Sequence, residues 1–293
     1  MIDKDSVGKV LPLSCVESYF IAWVRDSGVP DGLLYNKSFI PFSMLIKDFL
    51  YGNASYEHYE KIERVMTTAA SYGFTSYAVG TEVQKDAVNE GLYLLEANKS
   101  FFENCALKPW REDHYVCIGK VDGLGNYHYI NQFPLSEGVL NAGDIEKYFG
   151  RKTLLYKIVG NIDADKYRED EDMQFAEIIF QESEAASEIG EYNIKSFRDY
   201  VGIMRITRKR MQSWLRFIAS ERRFLYDEPI EVFFDDYFKY LDLLFVRLEA
   251  ANLRGKAIQG NINEKISEMA AYEKILSRLI RLRRIADEHA KYY

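Results

Sequence analysis

Asp113-His-Tyr-Val-Cys-Ile-Gly-Lys-Val-Asp-Gly-Leu-Gly-Asn-Tyr-His-Tyr-Ile-Asn131 reads as two alternating runs on either side of Asp122-Gly123. Asp-Gly between such runs is the strongest short hairpin signal, because both residues tolerate the positive φ of a tight turn. The pattern predicts strands over 114–121 and 126–131. A two-residue loop at Asp122-Gly123 sets His114 directly across from Asn131; a loop at Gly123-Leu124 makes them diagonal neighbours. Either register keeps both on one face, with Cβ atoms roughly 4.5–8 Å apart, within hydrogen-bonding reach of an imidazole and a carboxamide. A three-residue loop breaks that parity unless a bulge restores it.

Upstream, Leu11-Pro-Leu-Ser-Cys-Val-Glu-Ser-Tyr-Phe-Ile-Ala-Trp-Val24 opens a run with apolar residues at helical spacing. Pro12 and Ser14 stand where helices start, and Phe20, Ile21, Trp23 and Val24 form the expected buried stripe. Cys15 therefore falls in the first turn. The unpaired N–H groups and positive dipole end of a helix stabilise an anion, so a thiol there ionises below its free pKa of about 8.5 and becomes a nucleophile. The plainer alternative is a small buried hydrophobe.

Between these stretches, 26–32 is dense in turn residues and 41–50 reads as a short helix. Tyr59, Ile62, Val65, Met66 and Ala69 form the stripe of another helix ending at Gly73. Residues 74–79 read as a strand, Thr81 as the N-cap of a helix over 82–89, and 92–95 as a strand after Gly91. Beyond the hairpin come a helix over 142–149, closed by Gly150, and a strand over 152–158. This is α/β or α+β grammar. From about Asp163 the period turns helical, with segments 173–189, 194–217, 230–253 and 263–290. The chain is therefore expected to form two domains, 1–163 and 164–293.

At 293 residues and 47% hydrophobic content the chain can bury a sizeable core. A net charge of −7 and a pI near 5.4 argue against non-specific nucleic-acid binding. Three cysteines without a Cys-x-x-Cys pair suggest neither a disulfide framework nor a zinc site, and imply a reducing, cytoplasmic setting. The charged N-terminal segment has no apolar signal core, and no apolar run approaches a membrane-spanning length. Aromatic content of 15%, with 22 tyrosines, fits a pocketed or interface-rich protein, a homo-oligomer included.

Cysteine catalysis requires a thiolate, a base to generate it and a third group that fixes the base's tautomer and orientation. Cys15, His114 and Asn131 supply these types in that order, which is the papain-like chain order. His128 lies on the same hairpin but needs the opposite face or another register. His58 and His289 read as solvated, Cys117 as core and Cys105 as a loop residue. No His/Asp/Glu cluster has metal-ligand spacing and no bound cofactor is expected. Residues 205–223 hold Arg205, Arg208, Lys209, Arg210, Arg216, Arg222 and Arg223 against Glu221. That excess is a solvated face balanced by the acidic stretch 163–191, or a dock for an acidic partner.

On Ser14-Cys15 with its helix, the helix-Gly-strand unit Val83 to Glu96, and the His114 strand with its hairpin to Tyr129-Ile-Asn-Gln-Phe-Pro134, residues 10–160 resemble the N-terminal domain of the butirosin biosynthesis protein H family. These are papain-like proteins of bacterial natural-product clusters. The resemblance implies a papain-like α+β domain, with the nucleophile helix packed on an antiparallel sheet, and the helical period beyond 163 places an all-α domain after it. It further implies an acyltransferase in which Cys15 takes an acyl group from a carrier-protein thioester and passes it to a small-molecule amine, His114 acting as base and Asn131 as orienting residue. The partner would be an acyl or peptidyl carrier protein bearing phosphopantetheine, docked on Arg205, Arg208, Lys209 and Arg210. The sequence departs from the pattern at Leu34 to Pro41, where relatives are rich in glycine, and at Lys9, which stands where papain carries its oxyanion glutamine. The rival readings are a thioesterase or peptidase with water as acceptor, and a non-catalytic carrier-binding adaptor on the same scaffold.

Overall fold

The computed structural model describes residues 2–11, 13–29, 31–35, 64–71, 73–106, 114–161, 197–221, 227–254 and 259–290. The expected helices at 41–50 and 173–189, Tyr59 and Ile62 of the 59–69 stripe, and His58, Arg222 and Arg223 lie outside them. The chain divides into two compact units, Met1–Leu34 with Glu63–Asp163, and Tyr35–Ile62 with Ala164–Tyr293.

The first unit is α+β. Its order is α1 (Lys4–Gly8), α2 (Cys15–Asp26), α3 (Asp31–Leu34), α4 (Arg64–Ser71), β1 (Thr75–Gly80), β2 (Leu92–Ala97), α5 (Lys99–Phe101), β3 (Tyr115–Val121), β4 (Tyr127–Gln132), β5 (Leu135–Leu140), α6 (Ala142–Tyr148) and β6 (Phe149–Ile158). The six strands form one sheet in the order β1-β6-β2-β3-β4-β5, every neighbouring pair antiparallel. β2 is central and nearly continuously buried, as a strand covered on both faces must be. Alternation sorts the sheet's side chains. Tyr93, Leu95, Val116, Ile118, Tyr127 and Tyr129 join the Phe101 cluster with Ile145, Tyr148 and Phe149, in which Phe101 meets Tyr129 edge-on at 5.5 Å. α2 packs against β2, β3 and β4, and its Phe20 meets Tyr156 at 5.5 Å.

The hairpin loop has three residues rather than two. Asp122 N–H donates to the Asn126 carbonyl, Gly125 N–H donates back to Asp122, and Gly125 sits at φ +83°. That length shifts the register by one, and a bulge at Gly119 shifts it back, so Ile118 faces Tyr129 and Cys117 faces Ile130. The parity that puts His114 and Asn131 together survives through the bulge, in the diagonal register. Asp122 holds the loop: its carboxylate accepts from Leu124 N–H, Asn126 N–H and the Asn126 side chain, with His128 at 3.5 Å. Those donations, the Asn126 N–H foremost, hold the Asp122 carboxyl down from 3.8 to about 2. A depressed folded-state pKa stabilises the fold above the ordinary value and ceases to as pH falls through the depressed one. The wild-type melting temperature should therefore decline between about pH 4 and pH 2; Asp122→Asn should flatten that decline while melting lower at neutral pH. Parallel acid profiles for the two proteins would contradict this account.

Two expected elements differ. No helix forms over 82–89 beyond a short 3-10 turn at Asp86–Asn89, and the Tyr93 hydroxyl accepts from Gln84 N–H (3.0 Å) and lies 3.5 Å from the Glu82 carbonyl. After the Phe133-Pro134 turn the chain returns as β5, a strand the sequence pattern did not announce. Gly150 does not stop a helix but lies inside β6.

The described residues of the second unit form three long helices, α7 (Phe197–Glu221), α8 (Glu228–Leu253) and α9 (Gln259–Ala290). Trp214 faces Phe234 at 6.1 Å and Phe233 faces Tyr272 at 6.1 Å, which joins the three. The basic stretch is not a uniform solvated face. Arg210 is 2% exposed, Arg208 pairs with Asp242 above the Phe238 ring, and Arg205 is exposed. No described helix is long and apolar enough to cross a membrane.

Candidate active site

α2 begins at Cys15 because Ser14 caps it. Ser14 Oγ accepts from Glu17 N–H at 3.2 Å, and Glu17 Oε2 accepts from both the N–H (3.3 Å) and the Oγ–H (3.0 Å) of Ser14. Such a reciprocal box stabilises a helix start by about 1 kcal/mol. Glu17 is fully buried, and its Oε1 stands 3.5 Å from Val65 N–H of α4, so the first turn is tied to a second helix. Cys15 is part-exposed at the N-terminal end of α2. The expected stripe is present in Phe20, Ile21 and Val24, each fully buried, whereas Trp23 is only partly covered.

His114 directly precedes β3, and its carbonyl accepts from Ala97 N–H at 2.8 Å. Asn131, in β4, is fully buried. The two side chains meet, His114 Nε2 to Asn131 Oδ1, at 2.7 Å. The bond has a direction. Asn131 Nδ2 donates to the Pro134 carbonyl at 3.1 Å, which turns Oδ1 toward the imidazole. An amide oxygen only accepts, so Nε2 carries the proton, and in the neutral ring the lone pair is on Nδ1. Phe102 meets the imidazole edge-on, centroids 5.1 Å apart.

Tyr19, one helical turn beyond Cys15, ties α2 to the strand that carries Asn131. Its hydroxyl donates to the Ile130 carbonyl (3.0 Å) and accepts from Gln132 N–H (2.7 Å), the backbone groups on either side of Asn131. Burial pushes the Tyr19 phenol well above its ordinary pKa, and the nearby Cys15 and Cys117 thiols add to that. Sequence reasoning missed Tyr19, Phe102 and the Pro134 carbonyl. The i, i+4 spacing from Cys15 was a usable signal for Tyr19 alone.

The other candidates take ordinary roles. Cys117 is fully buried, and burial pushes its thiol far up. Cys105 lies in a single π-helical turn, Phe102–Ala106, rather than a loop, and burial and then Asp144 raise its thiol. His128 stands beside Asp122 in the hairpin, and His289 is exposed near the end of α9. Lys9 is the exposed C-cap of α1. Among the described residues no group of three His, Cys, Asp or Glu is placed to hold a metal ion. These differences set an order of reactivity: near neutral pH iodoacetamide should label Cys15 first, Cys105 slowly and Cys117 only after unfolding. Peptide mapping of the alkylated protein reads that order directly, and equal labelling of all three would identify Cys15 as an ordinary thiol.

No protein-family model matches the chain, and no curated protein is matched by its sequence.

Proposed function

We propose that the chain is a cysteine-dependent acyltransferase, with Cys15 as nucleophile, His114 as base and Asn131 as orienting residue. The observation that carries this reading is the directed relay from the Pro134 carbonyl through Asn131 to His114 Nε2. A structural histidine has no need of a fixed tautomer; a general base does, because only a lone pair on the nitrogen facing the thiol can take its proton. In this reading Nδ1 is that nitrogen. The Cys15 thiolate attacks a thioester carbonyl, the donor's C–S bond breaks, and the departing thiolate takes the proton from the imidazolium. The acyl-enzyme then meets an amine, whose nitrogen attacks as His114 accepts its proton; the amide leaves and the Cys15 thiolate is restored. Thioester exchange is nearly isoenergetic, so a thiol suits a thioester donor.

The same reading takes the first unit as papain-like, as its resemblance to the butirosin biosynthesis protein H family implies, and the second as an all-α domain for carrier docking. An acidic acyl or peptidyl carrier would engage Arg205 and the accessible parts of Arg208 and Lys209. Arg210 is excluded from that surface by its burial. The test is intact-mass spectrometry after incubation with acyl-N-acetylcysteamine thioesters. A mass increase of one acyl group on Cys15, discharged faster by amines than by water, is expected. Discharge indifferent to amines would make the protein a thioesterase, and no adduct from any donor would leave a non-catalytic adaptor.

A further inference from the structure

The β3–β4 ladder ends at Cys117–Ile130, beyond which the same register would set Val116 across from Asn131 and then Tyr115 across from Gln132. Gln132 N–H donates to the Tyr19 hydroxyl instead, and that hydroxyl donates to the Ile130 carbonyl. A side chain more than a hundred residues away in sequence thus occupies the place of a strand's backbone. β3 meanwhile continues along β2, with Tyr115 facing Glu96 and Val116 facing Leu95. The pairing of the two strands stops there, and beyond it the Asn131 and His114 side chains meet across the opening.

The phenol comes from the helix that starts at Cys15. Helical side chains lean toward the N-terminus, so Tyr19 lies back over the turn that Cys15 opens. Fully buried, it stays protonated across the working pH range and keeps both its donor and its acceptor role. Few residues could do both. Serine is too short to span from helix to ladder, and phenylalanine would leave a buried N–H and a buried carbonyl without that partner.

We infer that Tyr19 is the positioning residue of the site, tying the first turns of α2 to the backbone groups flanking Asn131 and so holding Cys15 in register with the His114–Asn131 pair. The inference rests on the acyltransfer reading of those three residues. It predicts that the hydroxyl governs the reactivity of Cys15 as well as stability.

The test is the pH profile of Cys15 alkylation in the full chain. In the wild type the midpoint should lie below that of an ordinary thiol, about 8.5. Tyr19→Phe should move it up toward that value and slow alkylation at pH 7 by roughly tenfold or more. Leu140→Ala, a substitution of a buried β5 residue paired with Tyr127 at the far end of β4 from Asn131, should lower the melting temperature without moving the midpoint. If Tyr19→Phe does not fold, 4-methylphenylalanine in place of Tyr19 fills the same volume without the hydroxyl, and 4-aminophenylalanine restores a donor and an acceptor; the profile should be lost with the first and recovered with the second. A Tyr19→Phe protein that melts lower yet keeps the wild-type midpoint, or identical profiles with the two analogues, would overturn the inference and leave acyl transfer standing. An ordinary-thiol profile already in the wild type would overturn the underlying reading and the positioning role with it.

Discussion

Cys15→Ala is expected to eliminate the acyl adduct and to lower turnover on the order of 10⁴–10⁶-fold, the usual cost of deleting a covalent nucleophile from a site that acts as a unit. The fold should be nearly indifferent to the change. Cys15 is part-exposed at a helix start whose capping box is made by Ser14 and Glu17, neither of which is altered. Loss of one sulfur there costs about 1 kcal/mol or less, a shift of a few degrees in melting temperature. A variant that retains the adduct on another residue would move the nucleophile elsewhere. One that unfolds instead would return Cys15 to the role of a packing residue.

The second large effect belongs to the base and its support. His114→Ala should slow acylation by roughly 10²–10⁴-fold, the range that positioned proton transfer contributes. Asn131→Ala should cost less in rate, roughly 10²-fold, because the imidazole remains but neither its tautomer nor its orientation is held. Asn131→Asp is the informative partner, since a carboxylate still accepts from Nε2–H at the observed 2.7 Å. It should recover most of the rate lost in Asn131→Ala, although the Pro134 carbonyl loses its donor and the charge is buried. The double variant His114→Ala/Asn131→Ala should be no slower than His114→Ala alone, because Asn131 acts only through the imidazole. Additive losses in single-turnover acylation would assign Asn131 a role apart from the histidine.

Much of the site was legible because helices and strands carry their own periodicities. The start of α2 at Cys15 follows from a local capping signal, Ser14 three residues before Glu17, and needs no distant contact. The shared face of His114 and Asn131 follows from strand parity, but by a route the sequence left conditional. A two-residue loop was the natural reading of Asp122-Gly123, and the three-residue loop that Asp122 stabilises by accepting from Leu124 and Asn126 displaces it. Gly119 then absorbs the extra residue as a bulge. Loop and bulge compensate, so the pairing is recovered by the conditional route, a three-residue loop corrected by a bulge, rather than by the two-residue loop expected first.

What tertiary structure alone decided are the bonds between residues far apart in the chain. The helix expected over 82–89 was locally plausible, yet only a 3-10 turn forms there, and the Tyr93 hydroxyl, nine residues on, accepts from Gln84 N–H. Arg210, one of several basic residues on an amphipathic helix, is buried while Arg205 is exposed, a distinction the basic stretch did not show in sequence. Tyr19 is the sharpest case. The stripe expected for α2, Phe20, Ile21, Trp23 and Val24, leaves it out; in the fold its oxygen bonds the backbone of β4 where its pairing with β3 stops. The sequence by itself determined where the helix of Cys15 starts and that His114 and Asn131 lie on one face, because those depend on hydrogen bonds a few residues long and on a period of two. It could not determine that β3 and β4 part beyond Cys117–Ile130 and that a phenol closes the gap, because the free energy of that arrangement resides in a donor and an acceptor on β4 whose partner is more than a hundred residues away.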